Sequence, residues 1–375
     1  MSVAPEIKGW CPGALRPMMS ADGLVLRVRP WCGRLTAEQA LGLCDLAERY
    51  GNGHLDLTNR ANLQLRGLAD SDHEAVLQTL REHALLDPDP TIETRRNVIV
   101  TPFWTSGDVN ERLHDKLVAN LDALPELPGK CGFAIDCGLA PVLRDDPADF
   151  RIEQGENGLI LRADGAALGQ AVNEDDLIPK LVDMAGWLAE RISPEMKRMR
   201  KVLTRHQLPS DWQMFAPIPP APKPALGMTT AGQFLAAAFG TIEAQALRRL
   251  LAQSGAEAIR LTPWRGFILE NVEAEDCPGF IVDTGDPLLN ITACPGAPVC
   301  ASSSVETRQF ARALAGRVDG ILHVSGCTKG CAMSTKADVT LVGRDGRFDL
   351  VRQGRASDTP AKTGLTPEDI LAGEV

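Results

Sequence analysis

The chain repeats itself on either side of a proline-rich segment, and this duplication limits its possible folds more than any other feature. Residues 209–226, PSDWQMFAPIPPAPKPAL, hold six prolines and read as an extended linker. Before it, TAEQALGLCDLAERYG (36–51) has the pattern of a helix, with Thr36 and Gln39 spaced as a capping box and Gly51 as the stop. HLDLT (54–58) and NLQLRG (62–67) then alternate as strands. After it, TIEAQALRRLLAQSG (241–255) reads as a helix, and AIRLT (258–262) and GFILENV (266–272) read as strands. LTNRANLQL (57–65) overlays LTPWRGFIL (261–269) without a gap. RRNVIVTP (95–102) resembles LLNITACP (288–295), FAIDCG (133–138) resembles HVSGCT (323–328), and PADFRIE (147–153) resembles KADVTLV (336–342). A period of roughly 190–200 residues is too long for a solenoid. It suits two fused halves about a pseudo-twofold axis, with a site between them.

The helix–strand–hairpin–helix order near each start predicts ferredoxin-like units. The rest of each half mixes helices with strands, so the expected class is α+β. The expected partition is a first ferredoxin-like unit (1–90), a first α/β unit (91–208), the linker (209–226), a second ferredoxin-like unit (227–275) and a second α/β unit (276–375). Residues 356–375 read as polar loop with a short helix at PEDILAG.

A net charge of −10 argues against nucleic acid as a partner. It leaves an anionic small molecule open, because surface charge is screened beyond about 8–10 Å. No apolar run approaches the roughly 18 residues needed to span a bilayer. The opening MSVAPEIKGWCPG lacks the basic and apolar regions of a secretory signal, so no membrane association and a cytoplasmic location are expected. Ten cysteines in such a setting point to metal or redox chemistry rather than disulfides.

Four of them form a constellation. Cys294 and Cys300 lie in ACPGAPVC, and Cys327 and Cys331 lie in GCTKGC. Four thiolates are what a [4Fe–4S] cluster needs, and Gly326 and Gly330 allow close backbone approach. Structural zinc favours pairs two to four residues apart, which C-x5-C is not. Zinc and four buried free cysteines remain the rival readings on spacing alone.

At these residues the chain resembles the nitrite and sulfite reductase superfamily, whose cluster motif is ACPG…C followed by GC-x-x-GC. The resemblance runs from about residue 12 to 355 and includes the duplication. It implies a ferredoxin-like and an α/β unit in each half, with a tetrapyrrole in the cleft between them. By resemblance, Arg60 in LTNRANLQL, with Asn62 and Gln64, matches a tetrapyrrole-binding segment; so do Arg96 and Asn97 in RRNVIV and Arg151 in PADFRIE. Arginine forks suit a carboxylate-rich macrocycle. Where the reductases carry a substrate-facing lysine, this chain has Ala148 and Asp149. A carboxylate there would repel sulfite or nitrite, which sets a sirohaem-dependent nitrite or sulfite reductase as the alternative.

WCPGALRPMMSADGLVLRVRPWCGRLT (10–36) resembles the opening of the precorrin-3B synthase family, the aerobic cobalamin-pathway branch of that superfamily. This resemblance implies an oxidoreductase: a monooxygenase that takes precorrin-3A and dioxygen, hydroxylates a meso carbon and closes a γ-lactone. NADH is the ultimate donor, and a separate reductase is expected because no G-x-G-x-x-G fingerprint is present. Arg16, Arg27 and Arg29 would extend the carboxylate grip. The resemblance also implies a mononuclear non-haem iron, for which a facial triad is expected; His54 with Asp56 is one candidate and Asp149 another, as iron ligand or proton relay. Cys11 is a further candidate in the cleft, Cys137 reads as a remnant of a duplicated cluster loop, and His73, His83 and His114 read as ordinary helix residues. A non-catalytic iron–sulfur carrier or tetrapyrrole-binding redox sensor is the alternative of another class.

Overall fold

The computed structural model describes residues 11–373; the first ten residues, over which most of the signal-peptide argument ran, lie outside the described region. Its strands fall into four groups of five along the chain. The first half has β1 (Met18–Ser20), β2 (Gly23–Val28), β3 (Arg34–Thr36), β4 (His54–Leu57) and β5 (Leu63–Leu68), then β6 (Val98–Val100), β7 (Phe133–Asp136), β8 (Phe150–Gly155), β9 (Gly158–Ala163) and β10 (Gln170–Ala171). The second half has β11 (Gly227–Thr229), β12 (Gly232–Ala236), β13 (Thr241–Glu243), β14 (Ala258–Leu261) and β15 (Gly266–Glu270), then β16 (Ile291–Ala293), β17 (Leu322–Ser325), β18 (Ala337–Arg344), β19 (Arg347–Gly354) and β20 (Lys362–Leu365).

The sheets repeat the duplication. One ferredoxin-like sheet runs β1-β2-β5-β4-β13 and the other β11-β12-β15-β14-β3. Each therefore takes its last strand from the opposite half: Ile242 pairs with Leu55, and Leu35 with Ile259. The α/β sheets run β10-β9-β8-β7-β6 and β20-β19-β18-β17-β16, parallel over β6–β8 and β16–β18 at one edge and antiparallel beyond. Backbone turns repeat as well. Positive φ occurs at Cys32 and Phe239 (48° and 59°), at Gly33 and Gly240 (69° and 75°), and at Ala61 and Arg265 (52° and 58°).

The helix predicted over 36–51 is Ala37–Tyr50, capped by Thr36 and Gln39 as expected. The helix predicted over 241–255 begins only at Ala244, because Thr241–Glu243 form the exchanged strand β13. These two helices pack together, and Leu43, Leu46 and Ala47 share one apolar core with Leu247, Leu250 and Leu251. Each α/β unit has a core of its own. The proline-rich segment is extended and pinned along the first α/β unit: Ile218 donates to the Gln154 carbonyl and Ala221 to that of Pro141. Residues 362–365, expected as loop, form the strand β20, and PEDILAG holds the helix Pro367–Leu371. Among the described residues no helix is long and apolar enough to cross a membrane.

Strand register corrects one overlay. Phe133 and Leu322 occupy matching places, paired with Phe150 and Val339, the residues that PADFRIE and KADVTLV align. Cys137 therefore stands where Gly326 stands, one place short of Cys327, and is no remnant of a cluster ligand.

Candidate functional site

A cleft of about 410 Å³ opens between the first ferredoxin-like sheet and the loops of the second α/β unit. All four constellation cysteines line it. Cys294 follows β16, and its sulfur accepts the Gly326 N–H at 3.1 Å. Cys294 is buried, Cys300 and Cys327 are half-buried and Cys331 is exposed. Burial pushes the Cys327 thiol up, and Cys294 and Cys300 nearby push it the same way. A tetrahedral zinc, with Zn–S near 2.3 Å, needs its sulfurs about 3.8 Å apart. Among the described residues no three of these cysteines bring their sulfurs together as one ion would need. Four thiols that share a pocket at wider spacing fit a polynuclear cluster better than one ion.

The cleft is also cationic. Arg27, Arg66, Arg265 and Arg308 line the cleft, against a single carboxylate, Asp56. Asp56 accepts from Thr241 Oγ1 at 2.8 Å and from Arg308 at 2.9 Å, so residues of both halves meet there. Arg66 is held by Asp22 at 3.0 Å and Arg265 by the Ile291 carbonyl at 2.7 Å, and burial lowers the pKa of Arg265. The Nε atoms of Arg27 and Arg308 are buried without a hydrogen-bond partner. Buried guanidinium N–H groups left over in this way suit an incoming carboxylate. Gln64 lines the cleft beside them, in register with Arg27 on one side and Asp56 on the other.

The remaining sequence-predicted residues divide. Arg60 is buried, with its Nη2 donating to the Lys130 carbonyl at 2.6 Å and its Nη1 unpartnered. Desolvation lowers its pKa. Arg16, exposed, and Arg29, buried, border a smaller cavity with Cys11 and Glu93. Asn62 is buried in the β4–β5 hairpin, its backbone N–H donating to Thr58 Oγ1.

Others serve the fold instead. Arg96 makes a two-pronged bond to Asp87 at 2.7 and 2.9 Å, donates to the Arg29 carbonyl and stacks over Trp31. Asn97 donates to the Thr94 and Gly129 carbonyls. Arg151 is fully buried, spent on Asp164 and on the Leu143 and Asp146 carbonyls. Arg96 thus commits Nε and Nη2, and Arg151 all three of its nitrogens, to groups of the protein itself.

Asp149 is also corrected. It is wholly buried, bonded to Arg198 at 2.9 Å and to the Gly132 and Met199 amides at 3.0 and 2.8 Å. Its counterpart Asp338 accepts the Ile321 amide in the same way. The Ala-Asp shared by PADFRIE and KADVTLV is a repeated structural clamp, which removes the argument that Asp149 repels an anion.

The expected facial triad does not assemble. His54 is exposed and bonded within its own turn to the Asn52 carbonyl, while Asp56 is committed to Thr241 and Arg308. The His/Cys/carboxylate group found among the described residues is Cys32, His114 and Asp115, which lies outside the cleft. Its imidazole uses one nitrogen on the Cys32 amide and the other on Asp115, as a structural link. Arg265 and Arg308 were missed by sequence reasoning. Arg265 takes the place of Ala61 in the overlaid hairpins, and VETRQF around Arg308 carries no motif.

Comparison with known proteins places these features. Residues 16–83 match the nitrite/sulfite reductase ferredoxin-like half domain. A precorrin-3B synthase of Sinorhizobium sp is 30% identical, over 96% of this chain and 86% of its own length. A ferredoxin–nitrite reductase of Leptolyngbya laminosa is 23% identical over 91% of this chain and 80% of its own. The solved structure of the Mycobacterium tuberculosis NirA protein superposes with a TM-score of 0.63 at 18% identity, covering 93% of this chain and 79% of that one. That likeness extends the shared fold to nearly the whole chain.

Proposed function

The chain belongs to the precorrin-3B synthase family, on the duplicated nitrite/sulfite reductase-like fold, and from that premise we propose that it converts precorrin-3A to its hydroxylated γ-lactone with dioxygen. The observation that carries this reading is the meeting of four cysteines and four arginines on one cleft. A [4Fe–4S] cluster held by Cys294, Cys300, Cys327 and Cys331 supplies single electrons when bound. The unpartnered N–H groups of Arg27 and Arg308 take the macrocycle's carboxylate arms, and Gln64, between Arg27 and Asp56, fixes its tilt. Holding several arms at once selects which ring carbon reacts. Electrons come ultimately from NADH through a separate reductase. Among the described residues His54 and Asp56 do not come together as a mononuclear iron site.

The test is incubation of anaerobically purified protein with precorrin-3A, reductant and 18O2. One labelled oxygen in a lactone product is the expected result. Bound sirohaem with nitrite or sulfite turnover would replace this reading by the reductase one. With Asp149 turned away, the preference between the two rests on kinship. An Arg308→Gln variant is expected to raise KM for precorrin-3A about tenfold or more, as loss of one charge-assisted bond implies.

A further inference from the structure

His323 sits within β17, fully buried, and neither ring nitrogen has a hydrogen-bond partner. Burial keeps the imidazole neutral, its pKa pushed down to about 4. A neutral imidazole still offers one N–H and one acceptor, and buried polar groups in proteins are rarely left unpaired.

Strand pairing fixes which way the ring faces. His323 is opposite Thr292 on one side and Thr340 on the other, and paired residues share a face of the sheet. Its neighbours Leu322 and Val324 point into the apolar core on the other face. Ser325, two residues on, shares the His323 face, and Ser325 and Thr292 both line the cleft beside the cysteines. Gly330, between Cys327 and Cys331, lies against the ring: a Cβ there would be 3.7 Å from His323 Cε1. The imidazole is thus packed beneath the loop that carries two of the four thiols. In the first half the same layer holds Ala134 beside Arg151, whose three guanidinium nitrogens each donate to protein.

We propose that the His323 N–H donates a hydrogen bond to a sulfur of the iron–sulfur cluster, from the sheet side, and so sets its reduction potential. The inference rests on the cluster reading above. His323 transfers neither electron nor proton; it is a positioning residue. A donor to cluster sulfur favours the more negative, reduced state and raises the potential.

His323→Leu removes the N–H at similar bulk, and His323→Gln keeps one. Iron and sulfide are counted first; a wild-type chain that assembles no cluster overturns the parent reading and this one with it. With cluster present, an EPR-monitored reductive titration is expected to find the Leu variant about tenfold less reduced at a fixed potential. For a one-electron couple that is a midpoint about 59 mV lower, with the Gln variant between it and wild type. An unchanged midpoint in an iron-replete Leu variant overturns the proposal. Should neither variant assemble a cluster, wild-type protein labelled with 15N-histidine decides. A nitrogen hyperfine coupling on the reduced-cluster signal is expected, since no histidine lines the cleft itself and His323 packs against Gly330 of the cysteine loop; its absence overturns the proposal.

Discussion

At the end of β16 the second half places Cys294; at the matching end of β6 the first half places Thr101. One strand over, Ser325 and Gly326 match Asp136 and Cys137. In the second half the Gly326 N–H points at the Cys294 sulfur. In the first, the Cys137 N–H points at Asn110 Oδ1, and the Asp136 carboxylate gathers the Val142 and Leu143 amides of its own loop. The two sheets are alike, but one organises its loop around a buried acid and the other around thiols. A cluster site on this frame is a matter of a few loop positions, not of the sheet below them.

Exchanging those positions gives the largest expected effect. Cys294→Ser or Cys327→Ser is expected to abolish cluster absorption and bound iron, while Cys137→Ser leaves the iron count unchanged. Iron loss in the Cys137 variant would mean that the assigned register is wrong. Next in size is the repeated clamp. Asp149→Asn leaves Arg198 without its buried partner and is expected to cost about 3–5 kcal/mol in urea unfolding; Asp338→Asn, on a half-buried carboxylate with no arginine partner among its hydrogen bonds, costs clearly less. Equal losses would undo the distinction.

Asp136 sharpens the comparison through pH. Burial raises its pKa to about 6, above the ordinary 3.8. The folded state therefore binds the proton more tightly, and the stability this contributes is complete below about pH 3.8 and lost as pH rises through 6. The loss is about 3 kcal/mol at 1.36 kcal/mol per unit. Asp136→Asn is expected to flatten that slope in denaturant midpoints taken from pH 4 to 7; an unchanged slope would place its origin elsewhere. The smallest effect compares the two helix starts. Thr36→Ala removes a capping box and is expected to lower stability by about 1 kcal/mol, whereas Glu243→Ala, at the matching cap with no side-chain bond, changes it little.

The capping box at Thr36, the two hairpins and the cysteine pairs were legible because each is a local pattern. The exchanged strands were not: Arg34–Thr36 and Thr241–Glu243 are too short to show a period, and Thr241–Glu243 runs straight into a helix whose polar first turn it resembles. Residue type alone does not say where an arginine's fork ends. Arg96 and Arg151 match a binding motif, yet their partners are carboxylates and carbonyls set by the tertiary fold. For Asp149 the signal was available, since the Ala-Asp pair recurs in KADVTLV at a position far from any expected ligand. Arg308 and His323 come into play only once folding brings distant segments together.

The loan of one strand from each half to the other's sheet has a consequence for ancestry. A single half would leave one sheet edge open and carry a strand with nowhere to dock. Two identical copies would cure both defects at once, by closing on each other as a twofold pair. The present chain is such a swapped pair written as one polypeptide. Once the copies share a single gene product they need no longer be the same, and the twin of the cysteine site was free to become a plain structural corner.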